Sequence, residues 1–393
     1  MEIIIFKKNE ITSDLFKNQL IFVFSESIKN DCYGNFLELD KTKCKIDLLD
    51  KNCEKNRRAA AKYLHEYELV KILSKRKVAS RAYFKLYEMV YNEPLISQEK
   101  INCFFICEAP GGFIECITDI RRKKHLKTDY ISISKFDTSI KYDKFMEEKN
   151  LIYGDITCID TLEKTIYQTL VKFENGVDFI TADGGFDIKN YNGQEIVTSK
   201  LLLCEIYMAL KTQKENGMFI IKFFDMFTHN SIIYYLILCS FYDYVKIIKP
   251  KTSRNCNSER YLICSGMKRW DASHLNLIYN IKTILLNFKI NNLASENDNL
   301  IVYPNFVINS DIKYKIKSFN NLIVYEQIKT INESIKMVEN KNFYFQNLLL
   351  KIFSENRIDR FKNIVLYKNI LWSRINKCLI YLKNYNINMH QFL

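Results

Sequence analysis

The chain has 393 residues, 48% of them hydrophobic, with 58 Lys and Arg against 45 Asp and Glu and a formal charge of +13. That apolar fraction excludes a chain disordered as a whole and suffices for one large or two modest domains with a buried core. The positive excess favours a polyanionic partner, most simply nucleic acid, over a solvated basic surface with no partner.

The 12 cysteines form no Cys-x-x-Cys pair. This argues against a zinc site and a disulfide-framed secreted fold; reduced thiols of a cytosolic or nuclear protein are the plain reading. The start, Met1-Glu-Ile-Ile-Ile-Phe-Lys-Lys, lacks a basic leader, an apolar stretch and a cleavage site, so no signal peptide is expected. The longest apolar run, Ile232 to Tyr242, is too short for a bilayer, and no membrane partner is expected.

Residues 1–60 are mixed and polar and read as an N-terminal extension. Residues 51–90 carry 11 Lys and Arg against 4 Asp and Glu, with Arg57-Arg58, Lys75-Arg76-Lys77 and Arg81 among them. Such a ramp leading into Lys85 is best explained as phosphate steering. Apolar spacing predicts helices over 55–76 and 80–92, the second bearing Lys85. Short apolar runs then alternate with helical stretches. Strands are predicted at Phe104–Glu108, Tyr130–Ser134, Val177–Ala182, Met218–Phe223, Tyr244–Ile248 and Arg260–Cys264, with a short edge element at Ile152–Asp155. Helices are predicted at Phe113–Ile120, Glu195–Leu210 and Ile232–Tyr242. The alternation implies an α/β sheet with helices on both faces, and ligands bind such sheets at the carboxyl ends of strands.

Of ten glycines, eight lie between Gly111 and Gly217, which places the pocket in that span. Residues 271–393 read mostly as helices, notably 324–338, 342–354 and 366–384. They carry 16 Lys and Arg against 9 Asp and Glu. With no Gly- or Pro-rich linker before them, they are expected to pack on the preceding domain. An RNA-facing surface and a helical cap over the sheet edge are equal readings of this region.

Four chemistry-bearing residues fall at or beside the ends of separate elements: Lys85, Asp183, Lys222 and Glu259. Glu259 opens a strand, so an antiparallel last strand would bring it to the same edge as the others. Upstream, Glu108-Ala109-Pro110-Gly111-Gly112-Phe113 is a strand-to-helix turn where a ligand can approach backbone and free helix N–H groups. It lacks the third glycine of a dinucleotide site, and no phosphate-binding P-loop occurs. Methyl transfer to a ribose 2′-hydroxyl needs a hydroxyl held in line with an activated donor and a group to take its proton. Lys222 fits as the base if burial and a nearby cation, Lys85, lower its pKa. Asp183 and Glu259 would orient the two ammonium groups. The alternative is a pair of partly buried salt bridges.

The order of these segments resembles the FtsJ-like (RrmJ-type) 2′-O-methyltransferases. More narrowly, it is similar to the cap-specific mRNA 2′-O-methyltransferases of eukaryotes and large DNA viruses. The similarity rests on Gly154-Asp-Ile-Thr157, Thr181-Ala-Asp-Gly-Gly-Phe186, Ser199-Lys-Leu-Leu-Leu-Cys204 and Lys222-Phe-Phe-Asp-Met-Phe227. It extends to Lys249-Pro-Lys-Thr-Ser-Arg254 with Asn257-Ser-Glu-Arg-Tyr261, and spans roughly residues 75–268. It implies a Rossmann-like S-adenosylmethionine-dependent methyltransferase sheet over 61–270 plus the helical C-terminal region 271–393. It implies a Lys85–Asp183–Lys222–Glu259 tetrad and a cofactor pocket over Glu108, Ala109, Pro110, Gly111, Gly112 and Phe113. Asp155 would face the adenine, and Asp183 would lie near the methionine end. Arg81, Lys249, Ser253, Arg254 and Ser258 would face the RNA. No metal is needed.

One departure from the wider family is visible. The second strand closes on Ile131-Ser-Ile-Ser134-Lys135, where many members place an acidic residue for the cofactor ribose. The implied activity is 2′-O-methylation of the first transcribed nucleotide of capped mRNA, with other capping or transcription proteins as partners. Ribosomal or transfer RNA methylation, and a non-catalytic RNA-binding subunit of a capping complex, are the competing readings. The abundance of Lys, Asn and Ile suggests an AT-rich genome; with the family, this adds a virus, in virion or infected-cell cytoplasm, to the expected settings.

Overall fold

The computed structural model describes residues 4–7, 20–24, 34–49, 51–135, 146–185, 193–287, 300–304, 310–339, 352–353 and 357–390. The chain divides into two compact units. One comprises residues 1–34, 92–249 and 259–320; the other comprises 35–91, 250–258 and 321–393. This grouping does not follow the linear boundaries at 60 and 270: Lys85 and the segment 250–258 share a unit with the C-terminal helices.

The described residues of the first unit form ten strands: β1 (Ile4–Lys7), β2 (Leu20–Phe24), β3 (Lys100–Ile106), β4 (Lys127–Ser134), β5 (Leu151–Tyr153), β6 (Val177–Ala182), β7 (Gln213–Phe224), β8 (Tyr242–Ile248), β9 (Glu259–Met267) and β10 (Leu300–Pro304). Eight form one sheet in the order β1-β8-β9-β7-β6-β3-β4-β5, while β2 and β10 pair separately. β3 runs parallel to both β4 and β6, β4 to β5 and β6 to β7. β9 is antiparallel to both β7 and β8. The Rossmann-like sheet read from the sequence is therefore present. Every residue of β6 is buried. Since successive side chains point to opposite faces, both faces of the sheet are covered there.

The strand order reverses between β3 and β6, the switch point where open α/β sheets bind ligands. The turn after β3, Asp183 after β6 and Lys222 near the end of β7 all fall at that edge. The antiparallel last strand is also confirmed. Glu259 pairs with Phe224 and Tyr261 with Lys222, so the opening of β9 lies beside the end of β7.

Two helices, Gln194–Val197 and His229–Phe241, hold this edge in place. Helix His229–Phe241 is buried along its described length, as a helix apolar on all sides must be. Its first turn is capped by the Thr228 hydroxyl, which accepts the Ser231 N–H. Glu195, almost fully buried, accepts the N–H groups of Phe227 and Thr228 at 3.1 and 2.9 Å and thereby fixes the segment leaving β7.

Several predicted elements differ in detail. The helix expected over 55–76 is two helices, Lys51–Leu64 and Val70–Leu73, broken by a turn at residues 66–69. The break turns Glu68 inward to a buried ion pair described below. β3 ends at Ile106 rather than at Glu108, because Cys107 adopts a left-handed backbone, φ 59°. The helix expected over 366–384 is present as Lys368–Asn384, with a separate, unpredicted helix Arg357–Leu366 before it, and 324–338 is the end of a longer helix, Ser310–Glu339. Of the helix expected at 342–354, only residues 352 and 353 lie within the described residues, and both are helical. β1, β2, β10 and the helices Phe36–Asp47, Ile159–Lys172 and Ala272–Asn287 went unread in the sequence. No described helix is long and apolar enough to cross a membrane.

Arg121, which looks like part of a basic surface cluster, is fully buried. Its guanidinium donates to the carbonyls of Ile96, Gln98, Glu99 and Lys127 and to the Thr128 hydroxyl, tying helix Gly112–Lys123 to the entrances of β3 and β4. Replacing it with leucine strands several buried acceptors, each worth about 1–3 kcal/mol. Arg121→Leu is expected to lower the thermal midpoint by roughly 5–10 °C. An unchanged melting curve would contradict the clamp.

Candidate active site

The first unit brings three of the four candidate residues together. Lys222 Nζ lies 3.1 Å from Asp183 Oδ1 and donates to the Asp183 carbonyl at 2.6 Å. Tyr261 donates its hydroxyl to the same Oδ1 at 2.9 Å. Glu259, two residues earlier on β9, shares the Tyr261 face because strand side chains alternate. The Lys222 ammonium also stands 5.3 Å from the centre of the Phe224 ring. Gly185 keeps the approach open: a Cβ there would meet Phe224 at 3.3 Å and Lys222 Nζ at 3.4 Å.

The electrostatics overturn one expectation. Burial works to lower the Lys222 pKa, but the charges of Asp183 and Glu259, the hydrogen bond to Asp183 and, once it ionises, Glu205 outweigh it and hold Lys222 above its ordinary value. Lys222 is thus an ammonium in the resting protein, not a pre-lowered amine. Tyr261 is pushed well above the usual tyrosine range, by burial first and then by Asp183 and Glu259. It is a fixed hydrogen-bond donor at any working pH.

The glycine turn is built as the sequence suggests. Cys107 is left-handed, Ala109-Pro110 is cis, and Gly111, at φ 99°, precedes the helix Gly112–Lys123. A side chain at Gly111 would run into Met146 as well as being strained. Glu108 is buried and links three elements: Oε1 accepts the Thr181 hydroxyl at 2.9 Å, and Oε2 accepts the Phe113 N–H at 3.3 Å. Burial, then the neighbouring Asp183, pushes its pKa well up. Ser134, closing β4, accepts the Ala109 N–H at 2.9 Å. Lys135 follows and pairs with Asp155 at 3.0 Å, so the position where the family often has an acid holds an ion pair. Burial opposes ionisation of Asp155, but the Thr157 hydroxyl and N–H, with Lys135, bring its pKa below the ordinary value.

The RNA-facing candidates are less open than expected. Lys249 is buried, and its ammonium donates to the Glu259 carbonyl at 2.9 Å, which fixes the start of β9. Ser253 and Ser258 are also buried. In the second unit, Lys85 is half-buried on helix Ala82–Val90. Arg81 and Arg254 both turn to Glu68. Arg254 grips it with two nitrogens at 2.8 and 2.9 Å, and Arg81 lies 2.5 Å from Oε2. Arg81 also donates to the Thr252 carbonyl at 2.7 Å, and the Lys251 N–H donates to Glu88 at 2.7 Å. These bonds shape the segment 250–258 within its unit.

Sequence reasoning missed Tyr261, Glu205 and Glu68. Tyr261 carried a usable signal, its spacing of two from Glu259 on a strand. Glu68 was one of few acids in a basic block. Glu205 sits in an apolar helix with nothing to mark it.

Residues 78–267 match the FtsJ-like methyltransferase family. Among curated proteins, the chain is similar to cap-specific mRNA (nucleoside-2′-O-)-methyltransferase 1 of Mus musculus. That relative is 30% identical over 277 residues, which cover 66% of this chain and 32% of the relative. The Homo sapiens protein of that name is 32% identical over 243 residues, covering 57% and 28%. Cap-specific mRNA (nucleoside-2′-O-)-methyltransferase 2 of Pongo abelii is 29% identical over 286 residues, covering 67% and 36%. The chain spans about a third of the length of these relatives. It carries an FtsJ-like methyltransferase domain.

Glu68 offers a test by pH. Burial raises its pKa, but Arg81 and Arg254 bring it down to about 2 from an ordinary 4.5. Its stabilising contribution is therefore complete above about pH 4.5 and drains away as pH falls toward 2. The difference corresponds to about 3 kcal/mol. Urea unfolding at a series of pH values should show this loss in the wild type and not in Glu68→Gln, which starts less stable at pH 7. Parallel curves for the two proteins would refute the assignment.

Proposed function

We propose that the FtsJ-like methyltransferase domain at residues 78–267 moves a methyl group from S-adenosylmethionine to the ribose 2′-oxygen of the first transcribed nucleotide of capped mRNA. The observation that carries this reading is the Lys222 ammonium, half-buried at a strand end and held by Asp183 with Glu259 beside it. The names of the curated relatives support the choice of capped mRNA over other RNAs.

The residues present suit this cofactor. Adenosylmethionine carries a sulfonium and an ammonium, and the carboxyl groups of Asp155 and Asp183 stand at the edge of the sheet beside the glycine turn, which Glu108 braces from within. The turn Ala109–Phe113 and the helix N-terminus after Gly111 would hold its polar groups. Asp155 would take the adenine side and Asp183 the methionine side. When bound, the cofactor supplies a methyl group already activated by the positive sulfur.

The chain then has three tasks: to hold the 2′-hydroxyl in line, to keep water out and to receive one proton. Lys222 Nζ orients the hydroxyl oxygen by donating to it as an ammonium, and accepts the hydroxyl proton as the neutral amine. Asp183 and Tyr261 fix the direction of Lys222. Lys85 is the fourth member of the implied tetrad. Arg81, Lys249, Ser253, Arg254 and Ser258 remain the candidates for shaping the RNA path, the arginines by way of Glu68. Because carboxylates hold the proton on Lys222, the amine is a minor species at neutral pH. The rate should rise with pH between 7 and 9.

The decisive assay follows methyl transfer from labelled S-adenosylmethionine to short RNAs that differ only at the 5′ end, with Lys222→Ala and Lys85→Ala alongside. Label should appear on the 2′-oxygen of the first nucleotide of capped RNA alone. Each variant should lose about 100-fold or more in rate. Equal label on uncapped or structured RNA would move the activity to ribosomal or transfer RNA. No label with RNA still bound would make the protein a binding subunit.

A further inference from the structure

A buried carboxyl beside Lys222 has no role in the tetrad. Glu205 projects from helix Ser199–Thr212 and is only 1% exposed. Its Oε1 accepts the N–H of Gly184, the residue directly after Asp183, at 3.1 Å. The Cys107 thiol, at the end of β3, bonds the same carboxyl. A side chain at Gly184 would collide with Glu205 Oε1, so glycine is the residue that lets carboxyl and turn meet. Glu205, Gly184 and Lys222 line a cavity of about 10 Å³ with Glu195, Thr198 and Ser231. That is close to the least volume a single water needs.

We propose that Glu205 is a positioning residue for Lys222: it holds the Asp183–Gly184–Gly185 turn from behind, and its carboxyl acts on the Lys222 ammonium from the cavity side. The inference rests on the methyl-transfer reading. A neutral acceptor such as glutamine would suffice to hold the Gly184 N–H, so the choice of an acid at a fully buried position calls for a second task. Burial drives the Glu205 pKa up to about 8, with Asp183 adding to the rise and with Lys222, the Gly184 N–H and Cys107 opposing it. The groups that face it are Lys222 on β7, Asp183 at the end of β6, Cys107 at the end of β3 and Glu195 on the cavity wall. Near neutral pH Glu205 is therefore an uncharged acid. As pH passes about 8 it becomes a third carboxylate holding the proton on Lys222, alongside Asp183 and Glu259. The result is a restraint on the base that strengthens where the amine would otherwise begin to accumulate.

Glu205→Gln retains the acceptor for Gly184 and cannot ionise, which separates the two tasks. The full chain with ¹³Cε-labelled lysine gives a readout independent of turnover, the Lys222 resonance being assigned by its loss in Lys222→Arg. In the wild type that resonance should show an inflection near pH 8 from the ionisation of Glu205. In Glu205→Gln the inflection should vanish. The ratio of kcat at pH 9 to kcat at pH 7 should rise about threefold, as expected when one nearby charge is removed. Calorimetry with S-adenosylmethionine would show whether the variant still forms the pocket. No inflection in the wild type would overturn the proposal whether or not any variant folds. So would an inflection that persists in Glu205→Gln, or an unchanged rate ratio. A wild type that binds S-adenosylmethionine but methylates no RNA would overturn the functional reading instead, leaving the Lys222 titration to judge Glu205 by itself.

Discussion

An ammonium group out of water is costly unless opposite charge and hydrogen bonds replace the lost hydration. Lys222 imposes that demand on the whole edge of the sheet. Asp183 at the end of β6 supplies a carboxylate and a carbonyl, β9 brings Glu259 and Tyr261, and helix Ser199–Thr212 brings Glu205. These groups come from separate elements, and a slip of one residue in the β7–β9 register would move Tyr261 to the opposite face. The supports behind them follow the same logic. Arg260, wholly buried, lies 3.7 Å from Asp225 and bonds Asn320, which in turn donates to the Met226 carbonyl at 2.8 Å. That network steadies the two residues after β7 whose φ angles are positive, Asp225 and Met226.

Much of this was legible because strands and glycine turns leave strong local marks. Val177–Ala182 was bounded correctly, since an apolar run ending in Asp-Gly-Gly admits few other readings. The antiparallel placement of Glu259 followed from chemistry that only made sense at one edge. The rest depended on information spread across the chain. Nothing local distinguishes Arg121 from its neighbour Arg122, yet one is buried under four carbonyls and the other is exposed on the helix surface. Arg81, Arg254 and Lys249 looked like phosphate ligands by type alone. Their partners Glu68 and Glu259 lie far off in sequence or on the backbone, so composition could not reveal them. The sign of the Lys222 shift was misread because burial and a second cation were given more weight than Asp183 and Glu259, and because the third carboxyl group, Glu205, was not visible.

Five of the protein's acids divide into those whose pKa is raised and those whose pKa is lowered. Glu108, Glu195 and Glu205 are raised because burial dominates, and they serve largely as acceptors for backbone N–H groups at turns. Glu68 and Asp155 are lowered because cations or several donors reach them. A single residue type thus braces turns in one place and anchors guanidinium groups in another, according to what surrounds it.

The edge of the sheet formed by β8 is covered by β1, a strand from the opposite end of the unit's sequence, with Ile4 opposite Ile247 and Lys7 opposite Tyr244. An uncovered strand of seven residues reading Tyr-Asp-Tyr-Val-Lys-Ile-Ile offers a template on which other chains can assemble into aggregates. The far edge needs less protection, because β5 is only three residues long. A few residues near the amino terminus thereby govern colloidal behaviour rather than chemistry, and a fusion partner attached there would be felt first as a loss of solubility.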